Sequence, residues 1–277
     1  MTALPQPSET FEWRDVHGRM ALVCRPLEPF APHIFTSRFW RLGASSDADR
    51  EESWQDIAGA LGADGPRLLR AHQVHGATVV AQRQGHPIGP RADADILLSA
   101  DAAVAPAVQT ADCVPILIAD SRTGAVAAAH AGWRGMAARV PLVTVEALVA
   151  EFGVRESKLI AAVGPSIGPC CYEVGGEVRD RFAAAGFSEW ELTRWFANEA
   201  PSLPTNPPMP GLNRRAREGH WFLDLWTAAR DQLRSAGVRE DRIFVAELCT
   251  SSHDAFCSYR RDGDRAGRLA AAIRPAS

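Results

Sequence analysis

Residues 110–135, TADCVPILIADSRTGAVAAAHAGWRG, constrain this chain more than any other stretch. Positions 114–119 and 125–129 are short apolar runs. Between them, Asp120-Ser121-Arg122-Thr123-Gly124 carries turn chemistry, because Asp and Ser bond their own backbone and Gly tolerates positive φ. The pattern reads as strand, turn, strand and the start of a helix. A turn centred between Ser121 and Arg122 sets Cys113 opposite His130, with Cβ atoms about 5 Å apart. A turn nearer Gly124 shifts the pairing by a few residues and leaves both at one end of the hairpin. A thiol beside an imidazole is either a nucleophile–base dyad or a pair of metal ligands.

The flanking sequence mixes strand and helix patterns without strict alternation. Strands are expected around a hairpin turn at His17-Gly18, then at 33–38, 67–75, 77–82, 95–99, 159–163, 243–247 and 269–273. Helical spacing appears at 49–61, at 135–152 with Pro141 either kinking it or opening it, at 177–185 and at 222–236. Residues 1–10 look like a frayed terminus. PSLPTNPPMPG at 201–211 holds five prolines and reads as a flexible surface insertion. These features predict an α+β fold, one domain of layered mixed β-sheets and helices.

Composition narrows the partners. A net charge of −3 over 277 residues carries no polyelectrolyte signature, so nucleic acid is not expected. No apolar run approaches the ~20 residues that span a bilayer, so no membrane is expected. The basic residues are arginines apart from Lys158. Six cysteines, at 24, 113, 170, 171, 249 and 257, follow no disulfide framework, and residues 1–20 show no apolar leader; a reduced, cytoplasmic protein is the expectation.

His75, between Gln73 and Gly76, would alone be a hydrogen-bonded structural residue. Joined to Cys113 and His130 it completes three borderline-to-soft donors, a set that suits zinc with an open fourth position. Asp112 is either a partner of that site, a general base or a turn residue. Gly132 and Gly135 place a helix start and Arg134 beside His130, as an anion site or as a plain strand-to-helix turn. Arg261, in the Tyr259-Arg260-Arg261 run, and Arg38 offer guanidinium forks for phosphate or a solvated surface. Cys249 reads as a small buried residue and Cys170-Cys171 as structural. His253 and Cys257, four apart, suit a metal only on a helix. No GxGxxG, Walker-type loop, GxSxG or His-x-His pair occurs.

QVHG (73–76), TADCVPILIAD (110–120), HAGWRG (130–135), GPSIGPCCYEVG (164–175), LCT (248–250) and FCSYRRDG (256–263) together resemble the YfiH-type family, known also as laccase-domain proteins and peptidoglycan editing factors. The resemblance runs from about residue 35 to 273. It implies a YfiH-like single domain and zinc held by His75, Cys113 and His130. The implied activity is purine nucleoside phosphorolysis, with adenosine deamination and methylthioadenosine cleavage beside it. On that reading Arg38, Gln73, Arg134 and Arg261 meet substrate and phosphate, and Asp112 handles a proton. The partners are purine nucleosides and phosphate, the chain a monomer or weak homodimer. Two alternatives use the same residues: a Cys113–His130 hydrolase editing peptidoglycan precursors, and a copper-dependent polyphenol oxidase. The chain departs from the family pattern at 37–43 and in carrying Cys257.

Overall fold

The computed structural model describes residues 4–43, 51–62 and 67–276. The chain opens with a hairpin, β1 (Phe11–Val16) and β2 (Arg19–Cys24), turned at His17-Gly18 where both residues take positive φ. There follow β3 (His33–Thr36), α1 (Glu51–Ala60), β4 (Arg67–Leu69), β5 (Val79–Gln82), β6 (Ile96–Ser99) and β7 (Val104–Thr110). The central hairpin is β8 (Val114–Asp120) and β9 (Val126–Ala131). Next come α2 (Trp133–Ala137), α3 (Val140–Phe152), β10 (Leu159–Val163), β11 (Glu173–Gly175), α4 (Gly176–Ala184) and α5 (Glu189–Trp195). The chain closes with β12 (Phe196–Ala197), β13 (His220–Leu223), α6 (Leu225–Ser235), β14 (Ile243–Val245), α7 (Tyr259–Asp262) and β15 (Leu269–Ile273). No helix among the described residues is long and apolar enough to cross a membrane.

Among these residues two six-stranded mixed sheets form, ordered β1-β2-β3-β15-β7-β4 and β14-β10-β8-β9-β6-β5. Side-chain parity along each strand then builds four layers. Leu117, Ala119, Val126 and Ala128 of the second sheet pack against Leu22, Phe35, Val108 and Ile273 of the first. The opposite parity, Ile116, Ile118, Ala127 and Ala129, meets α3 and α6 through Val145, Leu148, Ala229 and Leu233. The outer face of the first sheet is covered by Trp54 and Ile57 of α1 with Trp40 and Leu42. Both faces of β8 are therefore buried, which is why its sequence is a continuous apolar run rather than an alternation.

Several sequence expectations shift. The strand expected over 67–75 pairs through β4 and a single further bridge, His72 with Asp93, and 220–223 is a strand where the helical pattern was expected from 222; α6 starts at Leu225 behind its N-cap Asp224. Pro141 does open a helix: Arg139 takes a left-handed conformation, breaks α2 from α3, and Pro141 falls in the first turn, where its missing N–H has no carbonyl to serve. Residues 186–197, for which the sequence carries no element expectation, hold α5, started by a capping box between Ser188 and Glu191.

Residues 4–10 are not frayed. Ser8 donates its hydroxyl to the Val245 carbonyl at 2.7 Å, and Trp13 Nε1 donates to Pro5 O at 2.8 Å. The proline-rich insertion is likewise pinned. Asn206 is buried; its Nδ2 donates to Glu247 O at 2.7 Å and its Oδ1 accepts from Cys249 N at 2.7 Å. Proline supplies few backbone donors, so one amide side chain ties the loop down.

Candidate metal centre

The β8–β9 turn closes one step later than its composition suggests. Asp120 accepts from the Thr123 backbone at 2.9 Å and from Thr123 Oγ1, and pairs its own backbone with Ala125. The register is therefore Val114↔Ala131 and Pro115↔His130, so Cys113 lies across from Gly132 and not from His130. A shift of two residues preserves parity. Cys113 and His130 still share one face, the one that looks toward the first sheet.

Gly132 is what lets them meet. A Cβ there would stand 2.8 Å from Cys113 Sγ and 3.1 Å from His75 Cδ2. His75 arrives on a loop in left-handed conformation, φ 60°. One buried carboxylate organises the loop and β9 together. Asp95 accepts from the backbone N–H of Val74, His75 and Gly76 at 3.2, 3.1 and 2.7 Å, and from His130 Nδ1 at 2.8 Å. An ionised carboxylate only accepts, so His130 carries its proton on Nδ1 and presents Nε2 to the site. The His75 and His130 rings stand edge to face, centroids 4.9 Å apart. The ligand atoms of His75, Cys113 and His130 all lie within 4.8 Å of one another.

These residues fit a zinc ion. Zn–N and Zn–S bonds of about 2.0–2.3 Å place donors within that span. His130 is buried, Cys113 half-buried and His75 exposed, so the set is closed on one side and open on the other. Electrostatics agree. Burial pushes the Cys113 thiol up, but His130, by charge and hydrogen bond, and then His75 outweigh it and hold it at about 6. Burial works against a charge on His130, yet Cys113 and Asp95 raise it to about 9.

The open side faces a cavity of about 670 Å³. Among the described residues its wall carries Arg70, Arg91, Arg260 and Arg268, with Asp112 the single acidic residue. Tyr172 and Tyr259 add aromatic surface. Arg70 lies over the Trp54 ring at 4.5 Å, and Arg260 over the Tyr172 ring at 4.9 Å. Asp112, with φ 87°, reverses the chain between β7 and β8. Its Oδ1 accepts from Thr250 Oγ1 and its Oδ2 from Arg260 N, both at 2.6 Å. Burial raises its pKa despite these donors.

The structure brings together His75, Cys113, His130, Asp112 and Gln73, the last clamped to the Gln109 backbone through both ends of its amide. Arg38, Arg134 and Arg261 are not on the cavity wall. Arg38 donates to Asp254 O at 2.9 Å, and Arg134 lies over Trp133 at 4.2 Å. Arg261 donates to the carbonyls of Thr250, His253 and Phe256. Its neighbour Arg260 faces the cavity instead, because α7 turns successive side chains about 100° apart. His253 and Cys257 are not joined: His253 Nε2 meets Asn206 Oδ1, and Cys257 Sγ meets Arg268 O. Sequence reasoning missed Asp95, although an acid directly ahead of the apolar run Ile96-Leu97-Leu98 in the fully buried β6 was a signal for a buried, ligand-orienting carboxylate. Arg70, Arg91 and Arg268 carry no local signal, being assembled from distant segments.

The family model described as "Multi-copper polyphenol oxidoreductase laccase" matches residues 44–275. A purine nucleoside phosphorylase from Deinococcus radiodurans is 38% identical over 255 residues, 87% of this chain and 88% of that one. The adenosine deaminase RL5, from an unknown prokaryote, is 36% identical over 162 residues, 58% of this chain and 54% of its own length. YlmD from Geobacillus stearothermophilus superposes with a TM-score of 0.74 at 28% identity, covering 97% of this chain and 99% of that one. Bacillus licheniformis YfiH reaches 0.79 at 23% identity over 95% of this chain and 99% of its own, which speaks to the fold alone. With its layered α+β architecture, its ordered motifs and a family match running nearly end to end, the chain belongs to the YfiH-type, laccase-domain family.

Proposed function

We propose that this chain is a zinc-dependent purine nucleoside phosphorylase, converting inosine, adenosine or guanosine and phosphate to the free base and ribose 1-phosphate. Adenosine deamination and methylthioadenosine phosphorolysis are companion reactions of the same cavity. One observation carries the reading: an arginine-lined cavity opens directly onto the exposed edge of the His75–Cys113–His130 set. The phosphorylase and deaminase names of the relatives support it.

His75, Cys113 and His130 would hold the zinc, which would supply Lewis acidity to the bound reactants. Arg70, Arg91, Arg260 and Arg268 collect the phosphate dianion and orient one of its oxygens toward C1′ of the sugar. That oxygen forms the new C–O bond as the C1′–N9 bond breaks, and the departing purine takes up a proton. Asp112, whose carboxyl burial keeps protonated to higher pH than usual, is the residue we assign to hold and deliver it. It also fixes Arg260 by accepting the Arg260 N–H. Tyr172 and Tyr259 give the purine its stacking surfaces.

A second reading, a metal-free Cys–His hydrolase acting on cell-wall precursors, is favoured by the thiolate–imidazolium balance of Cys113 and His130. One experiment separates the two. Zinc-loaded protein is given inosine and adenosine with and without phosphate, and products are identified. Phosphate-dependent base release, lost on chelation and restored by zinc, supports the phosphorylase. Absence of base release and deamination from a zinc-loaded sample sinks it, and undiminished turnover by metal-free protein favours the hydrolase.

A further inference from the structure

Cys170, Cys171 and Cys249 form a second donor cluster, whose sulfurs also lie within 4.8 Å of one another. All three are buried and unbridged, and none lines the arginine cavity. We propose that these thiols are a closed site for a three-coordinate cuprous ion.

The geometry is built rather than incidental. Neighbouring residues in an extended strand point to opposite faces, but here the Cys171 and Tyr172 N–H groups both return to Gly168 O at 3.0 and 3.1 Å. That turn swings Cys170 and Cys171 together, their sulfurs 3.6 Å apart, too far for a disulfide. Cys249 reaches them because 166–168 and 248–250 are laced together. Ser166 N donates to Leu248 O at 3.2 Å and Thr250 N to Ser166 O at 3.0 Å. Metal–sulfur bonds of about 2.3 Å to three donors in one plane require sulfurs roughly 4 Å apart; the three here lie within 4.8 Å of one another, with 3.6 Å between Cys170 and Cys171.

Polar groups approach all three sulfurs. Gly168 N–H points at Cys249 Sγ at 3.2 Å, and the Ser252 hydroxyl lies 3.4 Å from Cys171 Sγ and 3.6 Å from Cys170 Sγ. The Gly168 N–H favours thiolate at Cys249, the form that binds metal. Arg260 Nη1, donating to the Cys171 carbonyl at 3.4 Å, offsets part of the resulting charge. The donor count selects the ion. Three sulfurs with no carboxylate or imidazole completing the group among the described residues suit soft, closed-shell Cu(I), while structural zinc takes four donors. The pinned insertion closes the site: Pro207 O lies 4.0 Å from Cys171 Sγ, and Met209 Sδ accepts from Ser251 Oγ at 3.4 Å. Entry requires residues 201–211 to lift, and binding releases the displaced thiol protons to solvent.

The test is an anaerobic Cu(I) titration against a chromophoric cuprous chelator. It uses the unmutated chain preloaded with one equivalent of zinc and, in parallel, Cys113→Ser. X-ray absorption on the copper reads its ligands directly. The expected result is one Cu(I) per chain in both, with three sulfur neighbours at about 2.3 Å and no nitrogen. Cys249→Ala is expected to weaken it at least a hundredfold while circular dichroism stays unchanged. Retention of no Cu(I), or nitrogen neighbours around it, or affinity unchanged in Cys249→Ala, overturns the proposal. The absorption measurement needs no variant, so a misfolded Cys249→Ala leaves it decisive.

Discussion

Asp95 accepts the His130 Nδ1 proton at 2.8 Å while the same carboxylate receives three consecutive backbone N–H groups from the loop that carries His75. One side chain thus fixes the tautomer of one candidate ligand and the position of another. Burial works against ionisation of Asp95, but His130 and the Gly76 and Val74 N–H groups more than offset it, and its pKa is lowered. Asp95→Asn is expected to weaken zinc binding by about 10–100-fold, measured by competition with a fluorescent chelator. An affinity within twofold of the unmutated chain would remove Asp95 from the site.

Gly132 predicts a different failure. Its φ of −72° is open to any residue, so Gly132→Ala carries no backbone strain. The added methyl would sit 2.8 Å from Cys113 Sγ, forcing the sulfur away from His75 and His130. The melting temperature of the metal-free protein should fall by no more than a few degrees, whereas zinc affinity should drop at least tenfold. Equal losses of both would show the methyl disturbing the core instead.

Adjacent arginines should separate cleanly. Arg260 is on the cavity wall, and Arg261 ties three loop carbonyls together. Arg260→Ala should raise KM for phosphate about tenfold or more, as loss of a charge-assisted contact implies. Arg261→Ala leaves buried carbonyls without donors and should cost about 1–3 kcal/mol in urea unfolding. A KM effect confined to Arg261→Ala would reverse the two roles.

Those neighbours mark what the sequence could and could not convey. Turn and strand chemistry is local, so β8, β9 and the helix after Trp133 were legible, and so was the convergence of Cys113 with His130. The register error came from Asp120, whose side chain claimed Thr123 and moved the turn one step on. It did no harm to the inferred site, because a two-residue shift keeps every side chain on its face. His75 joined the set through its donor chemistry, with the family motifs in agreement, and not through spacing. The arginines of the cavity wall were illegible, since Arg70, Arg91 and Arg268 meet only when the segment after β4, the segment between β5 and β6 and the segment before β15 are folded around the cavity. Proline content made 201–211 look free, whereas Asn206 and Met209 tie it down.

His33 sets a pH limit on the fold. It is buried, its Nδ1 donating to Ala31 O at 2.9 Å and its Nε2 accepting from Cys24 N at 2.9 Å, so both nitrogens are satisfied only in the neutral ring. Burial lowers its pKa to about 4; the Ala31 carbonyl opposes that, and Arg14 adds to it slightly. The unfolded chain, with an ordinary pKa near 6.5, therefore binds more protons than the folded one between those values. Stability is full above about pH 6.5 and is lost as pH falls toward 4, by roughly 3 kcal/mol from this residue at the bottom of the window. Urea unfolding of the metal-free protein at pH 7, 6, 5 and 4.5 measures the slope. His33→Asn should be less stable at pH 7, having lost the fitted ring, but should show a visibly flatter decline. Parallel curves for the two proteins would mean that other buried groups set the acid limit.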